Sequence, residues 1–189
     1  MIIAFASNKG GVGKTMLSTM LLSYVKHYMK RDAVLLRSVR FDLIPEGYRH
    51  ENLKEIPRSQ FTTGTVIGYA KKTDVLIVDL TTGLEQDGIE ILKIADKVIF
   101  PLLCSEIDKI EIFNTFLFLH EKKCIKTTEF FLLPNQHNRK WQGLGNSFLV
   151  DNNKILPSLS NSLYLKYQHF NFFSKDILKM VRPTFIKMF

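Results

Sequence analysis

Cysteine is scarce in this chain, and the other residues that commonly build metal sites are scattered. The 189 residues include two cysteines and five histidines. Cys104 and Cys124 lack the spacing of metal ligands, and we expect both to be reduced thiols in the core. The composition therefore argues against a metal site built only from side chains.

Long apolar runs are also missing. No run reaches the ~18 residues needed to cross a bilayer, and the start, MIIAFAS, lacks the features of a secretory signal. We therefore expect a cytoplasmic protein. Acidic residues are outnumbered, with 18 Asp and Glu against 26 Lys and Arg, for a net charge of +8. That charge is compatible with a solvated basic surface, with nucleic acid or with an anionic membrane.

Short apolar runs alternate with longer segments of helical period. Strands are predicted at 1–6, 33–39, 74–80, 97–103 and 128–135, with a short edge strand near 52–56. Helices are predicted at about 14–30, 63–72, 85–95 and 106–123. Strands that are apolar on both faces and separated by helices indicate a parallel sheet covered on both sides. We expect one α/β domain over residues 1–189, with ligands at the carboxyl ends of the strands.

The stretch SNKGGVGKT lies between the first strand and the first helix, which is the context of a phosphate loop. Glycines let backbone N–H groups converge on phosphate oxygens, and the helix adds the positive end of its dipole. Lys14 is expected at the β- and γ-phosphates, and the Thr15 hydroxyl at Mg²⁺. The residues expected around the nucleotide are Gly10, Gly11, Val12, Gly13, Lys14, Thr15 and Met16.

Two features separate this loop from the common phosphate loop G-x-x-x-x-G-K-[ST]. Asn8 replaces the first glycine, and a second lysine, Lys9, stands five residues before Lys14. This form resembles the deviant Walker A loop of the ParA/MinD family of dimeric ATPases. The resemblance implies a P-loop NTPase fold, ATP and Mg²⁺ as ligands, and a homodimer formed with ATP. It also implies that Lys9 reaches the partner's ATP phosphates, as an arginine finger does elsewhere.

Further segments extend the resemblance. The strand DVLIVDL ends near Asp79, which resembles the Walker B carboxylate that holds Mg²⁺. The segment DLTTG resembles the family's DTPPG and places Gly83 at the γ-phosphate. Asn135 matches the family residue that reads adenine, with a turn residue as the alternative. The late segment ILPSLS places Pro157 and Ser158 beside the base.

The pattern breaks after the second strand. Ser38 and Arg40 occupy the two acidic positions of the family's D-x-D-P-Q switch, which positions the attacking water. Two alternatives stay open: either Asp42 does that work after a small insertion, or no residue does. Without the carboxylate, ATP binding and dimerisation should survive while hydrolysis becomes very slow. We interpret Arg37 and Arg40 as exposed surface residues, with a phosphate or partner contact as the alternative.

The C-terminal part is basic. Its cations are Lys166, Lys175, Lys179, Arg182 and Lys187. A solvated helix face and nonspecific contact with DNA phosphates are the two leading interpretations. Membrane binding is less favoured, because Pro183 argues against an unbroken interfacial helix and Val181 could pack on the sheet.

The resemblance leads to two classes of function. The first is a ParA-like ATPase in plasmid or chromosome partition or cargo positioning, with a ParB-like partner or activator and association with the nucleoid. Because the chain starts with its first strand, we expect the small type without an N-terminal helix-turn-helix. The second is a nucleotide-gated binding or regulatory protein with little catalysis, including a MinD-like protein at the membrane. A kinase or synthetase would need an acceptor site, and the sequence offers no obvious candidate for one.

Overall fold

The structure is a computed structural model. It describes residues 1–39, 51–80, 85–103, 106–122, 129–135 and 175–189. The strands are β1 (Ile2–Phe5), β2 (Ala33–Val39), β3 (Leu53–Pro57), β4 (Val75–Asp79), β5 (Lys97–Leu102) and β6 (Glu129–Pro134). The α-helices are α1 (Lys14–Ser23), α2 (Thr63–Ala70), α3 (Gln86–Ile94), α4 (Glu106–Glu121) and α5 (Lys175–Phe185). A π-helical turn (Tyr24–Tyr28) continues α1, and 3-10 turns span Arg58–Gln60 and Ile186–Met188.

The strands form one six-stranded sheet in the order β3-β2-β4-β1-β5-β6. Every neighbouring pair is parallel. The predicted α/β fold with a parallel sheet is therefore confirmed, and so is the edge strand near 52–56. Parallel order places the carboxyl ends of all six strands at one edge, where the candidate ligand-binding residues gather.

Two hydrophobic cores lie on opposite faces of the sheet. On one face, Leu21 of α1 and Phe185 of α5 are fully buried against the strands. On the other face, Val66 of α2 and Leu92 of α3 are equally buried. Each strand alternates its side chains between these cores, which explains why the strand sequences are apolar on both faces.

The first helix changes its winding before it ends. The predicted helix over about 14–30 consists of α1 and the π-helical turn. The Tyr24 ring stacks on Tyr28 with a centroid distance of 5.2 Å and meets Phe185 edge-on at 5.7 Å. The segment closes at Lys30, which has a left-handed φ of 57°. These aromatic contacts join the end of the first helical segment to α5.

Helix α5 runs through Pro183. Our expectation that this proline would interrupt the helix was wrong. Proline removes one backbone hydrogen bond from the helix, and the residues around it are packed against the core. Val181 and Phe185 are fully buried in the core shared with α1, as predicted for Val181. Burial of that helix face offsets the missing bond.

Candidate nucleotide-binding site

The site is built where β1 and β4 end side by side. Phe5 of β1 is in register with Asp79 of β4. The glycine-rich loop leaves β1 there, and α1 begins at Lys14. The sheet therefore brings the loop, the start of α1 and the Asp79 carboxylate to the same edge.

The loop conformation depends on glycine at two positions. Gly11 has a φ of 75° and Gly13 a φ of 89°, both in the left-handed region that other residues rarely adopt. A Cβ added at Gly11 would meet no atom within 4 Å. Gly13 caps α1, and no side chain donates or accepts a capping bond there. The open space and the helix start suit a bound phosphate group.

The Lys14 side chain is drawn into the loop. It is 8% exposed, and its Nζ donates a hydrogen bond to the Lys9 carbonyl oxygen at 3.1 Å. Burial lowers the pKa of Lys14, and the Asp79 carboxylate offsets part of that shift. An anionic ligand would favour the charged amine, so the loop holds a partly desolvated cation where a phosphate is expected.

Thr15 and Asp79 meet at the start of α1. The Thr15 hydroxyl donates to Asp79 Oδ2 at 2.7 Å. Asp79 is fully buried, and burial raises its pKa, while Thr15, Arg37 and Lys14 lower it in part. The predicted metal-binding pair is therefore brought together.

The same pair fits Mg²⁺. Asp79 Oδ1 is buried, and it has no hydrogen-bond partner within the described ranges. A hydroxyl and a carboxylate with an available oxygen are the hard ligands that Mg²⁺ prefers. Thr15 and Asp79 would hold the ion, which would neutralise phosphate charge when bound. No cluster of three or more His, Cys, Asp or Glu side chains occurs in the part of the chain described.

Asn135 lies beneath the loop, directly after β6. Its side chain is fully buried, and its Nδ2 donates to the Val12 carbonyl oxygen at 2.7 Å. Its backbone N–H donates to the Leu102 carbonyl oxygen at 2.8 Å. The structure therefore places Asn135 as an anchor of the loop, and its contact with adenine stays a prediction.

The other end of the loop contacts α4. Asn8 Nδ2 donates to Thr115 Oγ1 at 3.1 Å, and that hydroxyl donates to the Glu111 carbonyl oxygen at 2.7 Å. Lys9 is half-buried and lines a cleft with Asn8, Val12 and α4 residues. This places Lys9 at the rim of the loop, while Met16 is buried in the core under α1.

Arg37 is a site residue that the sequence did not reveal. Its side chain is only 16% exposed, so the interpretation as an exposed surface residue was wrong. Its Nε donates to Asp79 Oδ2 at 3.3 Å, and its Nη1 donates to Glu55 Oε1 at 3.4 Å. The one available signal was a charged residue inside AVLLRSV, an otherwise apolar strand.

Ser38 is buried, at 6% exposure. It lines a second cleft with Arg58, Phe61 and Leu80, whose buried members belong to the core opposite α1. Several predicted residues lie outside the described ranges: Arg40, Asp42, Gly83, Cys104, Cys124, Pro157, Ser158 and Lys166. Their roles stay predictions.

Across the described segments, the helices are all too short or too polar to span a bilayer. No protein-family model matches the sequence, and no curated protein does.

Comparison with solved structures identifies the fold. A protein from Borrelia burgdorferi B31 assigned to plasmid partition, solved with AMPPNP, has a TM-score of 0.67 at 18% identity, covering 99% of this chain and 97% of that one. Apo McdA from Cyanothece gives 0.65 at 15% identity, covering 100% and 99%. The septum site-determining protein MinD of Pyrococcus horikoshii, solved with Mg-ADP, gives 0.61 at 13%, covering 96% and 94%. The chain has the fold of ParA/MinD-type P-loop ATPases.

Proposed function

We propose that this chain, with its ParA/MinD-type fold, binds Mg-ATP, dimerises around it and acts as a nucleotide switch. The observation that carries the proposal is the convergence of Lys14, Thr15 and Asp79 at one edge of the sheet. The Borrelia and Pyrococcus proteins were solved with AMPPNP and with Mg-ADP, which supports a nucleotide and Mg²⁺ as ligands of this fold.

Each residue of the site has a distinct part in binding. The loop backbone around Gly11 and Gly13 supplies N–H groups to phosphate oxygens, and Lys14 supplies positive charge. Thr15 and Asp79 hold the Mg²⁺ that accompanies ATP. Asn135 keeps the loop in place through the Val12 carbonyl, so it acts on binding even without a contact to the base.

Lys9 gives the site its dependence on a second subunit. Its backbone carbonyl holds the Lys14 amine, and its side chain is only half-buried at the loop rim. From that rim it can serve a neighbouring copy, where it would stabilise phosphate charge only after two ATP-loaded subunits meet. The output of the switch is then a change in association, used in plasmid or chromosome partition or in cargo positioning.

We expect hydrolysis to be slow and stimulated by a ParB-like partner or activator. Ser38 is buried on the face opposite α1 and carries no carboxylate. Asp42 is the candidate left to position the attacking water. The same observation favours the second candidate function, a nucleotide-gated binding protein with little catalysis.

Nonspecific DNA is the proposed surface for the ATP dimer. Lys179, Arg182 and Lys187 are exposed on α5 and the turn after it. Phosphate neutralisation needs no base-reading side chains. Phe185 and Met188 are buried in the core, while Ile186 and Phe189 are exposed near these cations.

Light scattering after size exclusion tests the proposal, with ADP, ATP and a non-hydrolysable analogue, each with and without DNA. A dimer is expected with ATP or the analogue, and a monomer with ADP. Lys9→Ala should bind ATP but remain monomeric. A monomer under every condition would contradict the proposal.

Slow hydrolysis is tested separately by the steady-state ATPase rate. Turnover above about 1 s⁻¹ that survives Asp42→Ala would contradict it.

A further inference from the structure

Arg37 lies in a row of three charged residues across neighbouring strands. In the sheet register it pairs with Glu55 of β3 on one side and with Asp79 of β4 on the other. Residues paired in this way project from the same face of the sheet. The guanidinium contacts both carboxylates, at 3.3 Å to Asp79 and 3.4 Å to Glu55.

The row is shielded from solvent. The side chains are 16% exposed for Arg37, 11% for Glu55 and 0% for Asp79. Charge interactions are stronger where water is excluded. The guanidinium of Arg37 therefore places positive charge directly beside Asp79.

The two oxygens of Asp79 have different surroundings. Oδ2 accepts hydrogen bonds from Thr15 and from Arg37. Oδ1 is buried, and none of the residues placed by the structure donates a hydrogen bond to it. Arg37 therefore fixes the carboxylate by one oxygen, leaves the other for a metal ion and offsets part of the charge that would attract that ion.

We propose that Arg37 is a positioning residue that competes with Mg²⁺ for the charge of Asp79 and thereby sets the Mg²⁺ concentration at which the nucleotide site fills. Glu55 weakens this competition, because the guanidinium of Arg37 also contacts the Glu55 carboxylate. The inference rests on the proposed function, since it presupposes a Mg-ATP site at Thr15 and Asp79.

The row predicts opposite effects for substitutions of Arg37 and of Glu55. Arg37→Met removes the competing cation, so the half-saturating Mg²⁺ concentration should fall about tenfold. Glu55→Gln removes the second carboxylate partner of Arg37, so the Arg37 charge then acts on Asp79 alone. The half-saturating Mg²⁺ concentration should therefore rise about threefold. A purely structural role would weaken the site in both variants.

The test uses the full chain treated with EDTA. Calorimetry gives ATP binding over a series of MgCl₂ concentrations, and the rise in thermal midpoint with MgCl₂ alone gives a second readout without nucleotide. Arg37→Lys keeps a cation beside Asp79, so its half-saturating Mg²⁺ concentration should stay within about threefold of that of the unchanged chain. Lys54→Met is the matched control: it removes an equal charge from β3, where Lys54 is exposed, and should cause no shift.

The outcomes separate the inference from the proposed function. Suppose that the unchanged chain binds Mg-ATP. If the half-saturating Mg²⁺ concentration then shifts in the same direction in Arg37→Met and Glu55→Gln, or shifts no more than in Lys54→Met, the inference is overturned and the proposed function stands. If the unchanged chain binds no ATP at any Mg²⁺ concentration, both fail. If Arg37→Met does not fold, the other two variants decide. The inference is supported if the half-saturating Mg²⁺ concentration rises in Glu55→Gln but not in Arg37→Lys. It is overturned if that concentration does not rise in Glu55→Gln.

Discussion

The ends of β1 and β2 lie at the same edge of the sheet, on either side of β4, and they differ in chemistry. After β1, the loop offers backbone N–H groups, and Lys14 is drawn inward by the Lys9 carbonyl. At the end of β2, the cation Arg37 is held between two carboxylates of the chain itself. Residues at both ends donate hydrogen bonds to Asp79: Thr15 after the β1 loop, and Arg37 in β2.

This difference separates two parts of the proposed nucleotide site. The β1 end has the features of a general phosphate-binding loop, because backbone groups and one lysine suffice to bind an anion. The β2 end carries a partly shielded arginine that contacts Asp79, the carboxylate proposed to bind the metal ion. Variants at the two ends should therefore affect different measurements.

The largest expected effect is at the β1 end. Lys14→Ala removes a buried cation from the phosphate site, and ATP affinity should fall by at least about 100-fold, as for loss of one partner of a buried charged pair. Titration calorimetry with Mg-ATP measures it. Lys9→Ala is the control, with nearly unchanged ATP affinity and loss of the dimer. Equal loss of ATP binding in both variants would contradict the two-lysine assignment.

A smaller effect is expected beneath the loop. Asn135→Ala leaves the Val12 carbonyl without its buried donor, which should lower the free energy of unfolding by about 1–3 kcal/mol. Urea denaturation without nucleotide measures this change. Asn114→Ala is a matched control, since Asn114 is exposed on α4 and its loss should cost less than about 0.5 kcal/mol. Equal stability of the two variants would mean that Asn135 does not anchor the loop.

The smallest expected effect is a pH dependence of the free energy of unfolding, caused by Asp79, which residues at both ends contact. Burial raises the pKa of Asp79 above the ordinary 3.8, so the folded state binds the proton more readily than the unfolded state. The stabilising contribution is present below that ordinary value and is lost as pH rises through the raised pKa. Within this window, the free energy of unfolding should fall by up to about 1.4 kcal/mol per pH unit relative to Asp79→Asn.

Urea denaturation over a pH series measures this difference between the unchanged chain and Asp79→Asn. Because Arg37 lowers the pKa of Asp79 in part, Arg37→Met should extend the window to higher pH. A parallel pH dependence of the unchanged chain and Asp79→Asn would argue that the carboxylate does not titrate within the window.

Much of the fold was accessible from the sequence. The run AVLLRSV predicted a strand at 33–39 that agrees with β2, because an apolar run between polar segments suits a strand buried on both faces. The charge within that run was harder to interpret. Arg37 was assigned to the surface, because sequence order alone does not place Glu55 and Asp79 on either side of it. Pro183 was also misjudged, since packing of Val181 and Phe185 compensates for the lost backbone bond.

By itself, the sequence determined the α/β alternation, the glycine loop and the identities of Lys14, Thr15 and Asp79. These depend on local patterns: strand and helix periodicity, and a loop of fixed spacing. Only the tertiary structure decided that Arg37 contacts Glu55 and Asp79, and that Asn135 anchors Val12, contacts that join residues 18, 42 and 123 positions apart. Such contacts follow from the strand order β3-β2-β4-β1-β5-β6, which brings distant segments to one edge of the sheet.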